Sequence, residues 1–302
     1  MNNTQKNLFK QSSVFKCVHD AHQQFKSQMS PFHILVEKRC YPDGCIYFQW
    51  KCKLLAKRKK CFRNFTKVGK ECSNCKYFVE EKIHQYPEFI AGSDYGIKFL
   101  EKFRAFEEWI DDLKNKRILC EGCVSEVKPE FLIYKKGGKI TLSLRGFLVC
   151  FKEGFIDNLS FEDKFYLSIS STTQNNLLLR EGDSLEFQAN LLLDRGRFKF
   201  IKSGRFVFYE RGDSVPIKRT DILVALKTYT IQPNQPQKCL NCKHGILGDV
   251  ESDLPGPRRI VICMQGVQNY NYCSIAILNN MTEHSDQCVN YQWSNMSCKH
   301  TL

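Results

Sequence analysis

Three Cys-x-x-Cys pairs, Cys72/Cys75, Cys120/Cys123 and Cys239/Cys242, constrain this chain more than any other feature of it. Two thiolates at that spacing reach one metal ion from a single tight turn, and a tetrahedral site then takes two more ligands from elsewhere. Segments that carry such pairs are expected to be shaped by coordination.

Around the first pair, between Cys61 and Cys75, thiols alternate with basic and aromatic side chains. Cys61 and one of Cys40, Cys45 or Cys52 are the nearest candidates to complete that site. At the second pair, the glycine of Cys120-Glu-Gly-Cys123 suits a tight turn. Its missing ligands come from Cys150 or from the group Cys40, Cys45 and Cys52, and a redox dithiol is the competing account. The third pair is complete within its own segment, because Cys263 and Cys273 follow, and Gly245, Gly248 and Pro255-Gly-Pro257 supply turns. The metal candidates are therefore Cys40, Cys45, Cys61, Cys72, Cys75, Cys120, Cys123, Cys239, Cys242, Cys263 and Cys273. Cys17, His19 and His22 lack such a framework, and Cys288, Cys298, His284 and His300 form a further site or are spare thiols. Zinc suits irregularly spaced thiolate sets. A 4Fe-4S cluster accepts the same ligands and is the alternative, although the compact ferredoxin spacing is absent.

Sixteen cysteines in 302 residues is about 5% of the chain, below the roughly 8–10% of small secreted disulfide scaffolds. With no apolar leader and no long apolar run, the expectation is a cytoplasmic protein without a membrane partner, its thiols reduced and free to ligate.

The formal charge of +13 is concentrated. Ser30 to Glu80 holds twelve Lys or Arg against four Asp or Glu, a local field that favours a polyanion. Lys57, Arg58, Lys59, Lys60, Arg63 and Lys67 lie there, interleaved with Phe62, Phe65, Tyr77 and Phe78, the composition of a surface that pairs phosphates and stacks bases. A solvated face, or one that offsets a negative thiolate cluster, has the same composition. Tyr77 to His84 is read as a helical face carrying Glu81 and His84.

Five strand-like runs follow, Phe131–Tyr134, Lys139–Phe151, Phe165–Ser170, Ser184–Asp194 and Arg197–Tyr209, with glycine-marked turns between most of them. The inward phase of the second run changes at Gly146, as at a bulge. Leu185, Phe187, Ala189, Leu191, Phe198 and Phe200 are expected inside; Arg197, Lys199, Lys202 and Arg205 are expected outside, with Lys199 and Arg205 offered to nucleic acid. Phe32, Ile34 and Val36 alternate as a short strand. Tyr95 to Arg117 is helical, with Ile97, Leu100, Phe103, Phe106, Ile110 and Leu113 on its apolar stripe.

The expected architecture is α+β: a central small five-stranded barrel, similar to the oligonucleotide/oligosaccharide-binding class, flanked by two cysteine-rich metal domains and one long amphipathic helix. The expected parts are a flexible polar arm (1–30), an N-terminal metal domain (31–94), the helix (95–119), the Cys120/Cys123 knuckle with the barrel (120–212), a connector (213–236) and a C-terminal metal domain (237–302). No phosphate loop, nucleophile elbow, kinase or dinucleotide signature is present, so a non-enzyme is favoured. The function expected is metal-stabilised binding of single-stranded nucleic acid, with a protein partner as a further option. The alternative is an iron–sulfur protein with a redox or sensor role.

Overall fold

The computed structural model describes residues 4–18, 28–233, 235–252 and 259–273. Along the chain the strands are β1 (Thr4–Gln5), β2 (Phe15–Lys16), β3 (Gln28–Met29), β4 (Cys45–Cys52), β5 (Phe78–Gln85), β6 (Glu88–Phe89), β7 (Ile118–Lys136), β8 (Lys139–Ile156), β9 (Leu159–Phe161), β10 (Phe165–Ile169), β11 (Ser184–Asp194), β12 (Arg197–Glu210), β13 (Thr230–Gln232), β14 (Gly245–Ser252) and β15 (Arg259–Cys263). The α-helices are α1 (Lys53–Ala56), α2 (Ser93–Lys114), α3 (Ser171–Leu177), α4 (Arg219–Thr228) and α5 (Gln237–Leu240). The chain divides into two compact units, one of Lys6–Asn115 with Leu193–Arg197, the other of Met1–Gln5, Lys116–Leu192 and Phe198–Leu302.

The second of these units is built on a ten-stranded mixed sheet in the order β1-β9-β8-β10-β12-β11-β7-β14-β15-β13. β7 also pairs with β8, which joins β7, β8, β10, β12 and β11 in a circuit within the larger sheet. Phenylalanines fill the space between these strands. Phe151 stacks on Phe165 at 4.7 Å, Phe165 meets Phe200 edge-on at 5.9 Å, and Phe161 lies 4.8 Å from Phe198. Leu185, Phe187, Ala189, Leu191, Phe198 and Phe200 are all buried. The phase change in β8 falls where Glu130 pairs with Gly146 and Phe131 with Leu144, leaving Arg145 unpaired. A side chain at Gly146 would stand against the Ile169 carbonyl, so the bulge sits where only glycine fits.

This sheet overturns the expected architecture. The strands do not make a separate small barrel between two metal domains. β7 is 19 residues long; its first part, Ile118 to Cys123, pairs with β11, and the edge beyond is taken by β14, with Asp249 opposite Leu132 and Ser252 opposite Lys135 in parallel register. An unpaired edge of that length is covered by the nearest available strand. The C-terminal cysteine hairpin, β14 with β15, is thereby part of the same sheet, whose edge on that side is β13.

In the other unit, α2 buries Phe99, Phe103, Phe106, Ile110 and Leu113, while Ile97 is exposed. Phe9 packs on Phe103 and Phe106 with ring centroids 5.6 and 5.1 Å away. Gly96 lies against the Phe89 ring, leaving no room for a β-carbon. Phe32–Glu37 is a π-helix instead of the expected strand, closed by the Cys40 N–H donating to the Ile34 carbonyl at 2.8 Å. β4 and β5 form a two-stranded ribbon. The segment expected as a helical face is β5, and Glu81 and His84, three apart in a strand, point to opposite sides. No described helix is long and apolar enough to cross a membrane.

Candidate metal centres and nucleic-acid interface

The backbone of β14 and β15 places Cys239, Cys242 and Cys263 at one end of a hairpin, and Cys273 follows a 3-10 turn at Tyr270–Tyr272. Cys263 pairs directly with Gly245. Gly245 donates to the Cys242 carbonyl at 2.9 Å, and Cys242 to the Cys239 carbonyl at 3.3 Å, so the pair forms a tight turn against the strand end. The turn folds so closely that a β-carbon on Gly245 would stand 1.7 Å from the Cys239 carbonyl oxygen.

Burial pushes the Cys239 thiol up, and the neighbouring Cys242, Cys263 and Cys273 thiols push it further, against an opposing Lys238. Burial also raises Cys242; a backbone hydrogen bond at His244 and the Lys128 ammonium act the other way, while Cys263 and Cys273 add to the rise. Cys239 and Cys242 thus lie within electrostatic reach of the Cys263 and Cys273 thiols. The four are not drawn to a common centre: among the described residues no three His, Cys, Asp or Glu side chains stand close enough together to grip a metal ion. The donor set nevertheless fits zinc, with four soft sulfurs, a turn of the right kind, and a cation at hand to offset thiolate charge. That cation is Lys128, whose ammonium donates to the Cys242 carbonyl at 2.8 Å and the Gly245 carbonyl at 3.3 Å, and which also pairs with the Glu126 carboxylate at 3.1 Å. His244 is buried beside the turn, and burial, with Lys243 and Lys128, lowers its imidazole to about 4.

The second pair is not a turn. Cys120 and Cys123 both lie in β7, opposite Phe187 and Ser184. Cys120 is fully buried, its thiol held well above the ordinary range by burial and then by Asp157, whereas Cys123 is exposed. Residues three apart in a strand face opposite sides, so the glycine between them serves the irregular strand register at Gly122 and Val124.

The N-terminal candidates split into two places. The Cys45 and Cys40 sulfurs are 2.7 Å apart. Cys40 is pushed up to about 12, first by burial, then by the Cys45 hydrogen bond and the Cys45 and Cys17 thiols, with Lys38 opposing. Cys45 opens β4 opposite Gln85, while β4 ends at Cys52 opposite Phe78, where Cys72 and Cys75 lie. Seven residues of strand separate these ends, roughly 23 Å at about 3.3 Å per residue. One ion cannot bridge them. Cys61, Cys72 and Cys75 belong to the 53–77 connection between β4 and β5. His19, His22, His284, His300, Cys288, Cys298 and Pro255-Gly-Pro257 lie outside the described residues.

Of the proposed nucleic-acid contacts, Lys57, Arg58, Lys59, Lys60, Arg63 and Lys67 are all exposed in that same connection, with Arg63 also donating to the Glu71 carbonyl at 2.9 Å. Arg205 is exposed on β12. Lys199 is not a surface cation: it is buried and paired with Glu130, whose other carboxylate oxygen accepts from the Ser168 hydroxyl at 2.5 Å. The expectation that Lys199 faces outward is overturned: alternation sets it opposite Phe198 and Phe200, and that side of the strand is covered too.

One group was missed from the sequence. On β4, Ile46, Phe48 and Trp50 are 51%, 57% and 40% exposed, in alternating positions and so on one face of the ribbon. Their cross-strand partners are His84, Lys82 and Glu80. The Trp50 indole is fixed by donating to Glu80 at 2.7 Å. Phe62 and Phe65 are exposed in the adjoining connection. The signal was the alternation in Ile-Tyr-Phe-Gln-Trp, which reads as an ordinary half-buried strand unless the strand has one partner and no covering layer.

Comparison with protein-family models, curated proteins and solved structures finds no match to this chain.

Proposed function

We propose that this chain is a metal-stabilised protein that binds single-stranded nucleic acid, with the β4–β5 ribbon as its stacking platform and the 53–77 connection as its phosphate-binding surface. The observation that carries this reading is the row Ile46, Phe48 and Trp50, exposed on a ribbon beside six exposed cations. Large apolar side chains in a row on a surface mark an interaction site. Rings interleaved with lysine and arginine suit a strand whose bases are unpaired, since every base has a face to stack and every linkage a phosphate to pair. Duplex would offer its phosphates but not its base faces. Zinc held by Cys239, Cys242, Cys263 and Cys273 is the structural metal of this reading, in a reducing compartment such as the cytoplasm.

The test is fluorescence anisotropy with a labelled single-stranded oligonucleotide, comparing the native chain with Phe48→Ala/Trp50→Ala. Stacking contributes about 1–3 kcal/mol per base, so the double variant is expected to bind at least tenfold more weakly, with unchanged secondary structure. Equal affinity for the two proteins would remove the ribbon from the interface.

A further inference from the structure

The backbone of the ribbon assigns a metal site of its own. We propose that Cys52, Cys61, Cys72 and Cys75 hold one zinc ion, with Cys52 as the fourth ligand in place of Cys40 or Cys45. This does not depend on nucleic-acid binding.

Cys52 and Cys75 are brought to the same end of the ribbon. Cys52 pairs with Phe78, the first residue of β5, and the next residue, Lys53, donates to the Tyr77 carbonyl at 2.9 Å. Phe78 in turn donates to the Cys75 carbonyl at 2.8 Å, which folds Cys75 back over that strand end. Cys72 and Cys75 form the tight turn that the spacing called for, with the Cys75 N–H on the Cys72 carbonyl at 2.9 Å and the Cys72 N–H on the Gly69 carbonyl at 3.0 Å.

Cys61 is carried to this turn by its neighbours in sequence. Phe62 packs edge-on against Tyr77 with ring centroids 6.3 Å apart. Arg63 donates to the carbonyl of Glu71, the residue before Cys72. Two contacts therefore pin the residues after Cys61 to the residues on either side of the Cys72/Cys75 turn. Nothing comparable ties Cys61 to the Cys40 end of the ribbon among the described residues.

These contacts bring the four backbone positions to one end of the ribbon without gathering their sulfurs about one centre, so binding of the ion draws the side chains in. Each thiol that binds gives up its proton. Four thiolates around a divalent ion leave two net negative charges, and Lys57, Lys59 and Lys60 in the same connection supply cations to offset them. The connection carries only a one-turn helix and a short 3-10 turn, and a closed metal site provides the folding energy that such a segment lacks.

Thiol protection in the full chain tests the assignment. The zinc-loaded protein is treated with N-ethylmaleimide, digested, and mapped by mass spectrometry before and after chelation. Cys52, Cys61, Cys72 and Cys75 are expected to resist together and to become reactive together when the ion is removed. In Cys52→Ser the other three are expected to react in the presence of zinc while Cys239 and Cys242 stay protected; in Cys45→Ser all four stay protected. Labelling of Cys52 in the zinc-loaded native chain, or exposure of Cys72 and Cys75 by Cys45→Ser, would overturn the proposal. The native-chain map carries the test even where a variant does not fold.

Discussion

Gly245→Ala probes the proposed C-terminal zinc centre through backbone geometry alone, leaving all four proposed ligands in place. A β-carbon at Gly245 would stand 1.7 Å from the Cys239 carbonyl oxygen, where real β-carbons keep at least 3.0 Å. The difference, 3.0 − 1.7 = 1.3 Å, is the least displacement that relieves the clash. Both partners are backbone, so no side-chain rotation absorbs it. Metal–ligand distances tolerate about 0.2 Å, so if Cys239 and Cys242 share one ion as proposed, a movement of 1.3 Å in their turn breaks that arrangement. The expected result is a zinc affinity at least a hundredfold weaker, a loss of about 2.7 kcal/mol or more, read by competition with a chromophoric chelator. Gly248→Ala is the matched control: its β-carbon meets the tip of the Ile133 side chain, which can change rotamer at a cost of about 1 kcal/mol, and zinc affinity should not change. Native affinity in Gly245→Ala would refute the reasoning, because zinc binding would then not depend on the turn that Cys239 and Cys242 make.

Other expectations follow from buried polar groups and exposed cations. Asp183 is fully buried and accepts from the Arg180 N–H at 3.0 Å and the Gly212 N–H at 2.9 Å, with the Arg211 guanidinium 3.2 Å away. Asp183→Ala orphans two backbone donors and should cost about 3–5 kcal/mol in urea unfolding; a loss under about 1 kcal/mol would show that the two turns hold without it. Lys199→Ala leaves Glu130 buried with the Ser168 hydroxyl as its remaining described partner, an expected loss of about 3–5 kcal/mol. Nucleic-acid affinity of its folded fraction should not change, and a fall there would return Lys199 to the interface. Substituting Lys57, Lys59 and Lys60 by Gln should flatten the plot of log affinity against log salt by about 2, at roughly 0.7 per phosphate contact on a single strand, and an unchanged slope would place the phosphates elsewhere.

Of the large sheet, β8, β10, β11 and β12 were legible because alternating phenylalanines and leucines record which side of each strand is covered, and Gly146 marked the bulge; only the Phe131–Tyr134 part of β7 was read as strand, and β1, β9, β13 and β14 were not. The pairing of β14 with β7 was not legible, since it joins Asp249 to Leu132 across more than a hundred residues with no local signal. Cys120 and Cys123 misled because their spacing suits both a turn and a strand, and the apolar residues on either side decide for the strand. Phe32, Ile34 and Val36 fit a strand's period of two, yet the segment closes into a π-helix through backbone bonds that periodicity cannot register. Glu81 and His84 failed in the opposite sense, their helical spacing being accidental in β5. At the third pair the spacing foretold the tight turn that Cys239 and Cys242 make, but the four thiols are not gathered about one centre among the described residues, because closeness in sequence does not fix where side chains converge. The Cys40/Cys45 candidates were placed with Cys72/Cys75 because the chain between them had no visible direction; once β4 runs extended, the two groups fall at opposite ends.

Photocrosslinking of a single-stranded oligonucleotide to the zinc-loaded full chain, followed by tryptic mapping, tests the central claim most directly. The ribbon's aromatic row lies between Arg39 and Lys51, so the crosslinked nucleotide is predicted on the peptide from Cys40 to Lys51, at Phe48 or Trp50. Crosslinks confined to the 116–192 region or to residues beyond 198, or none at low salt, would contradict it.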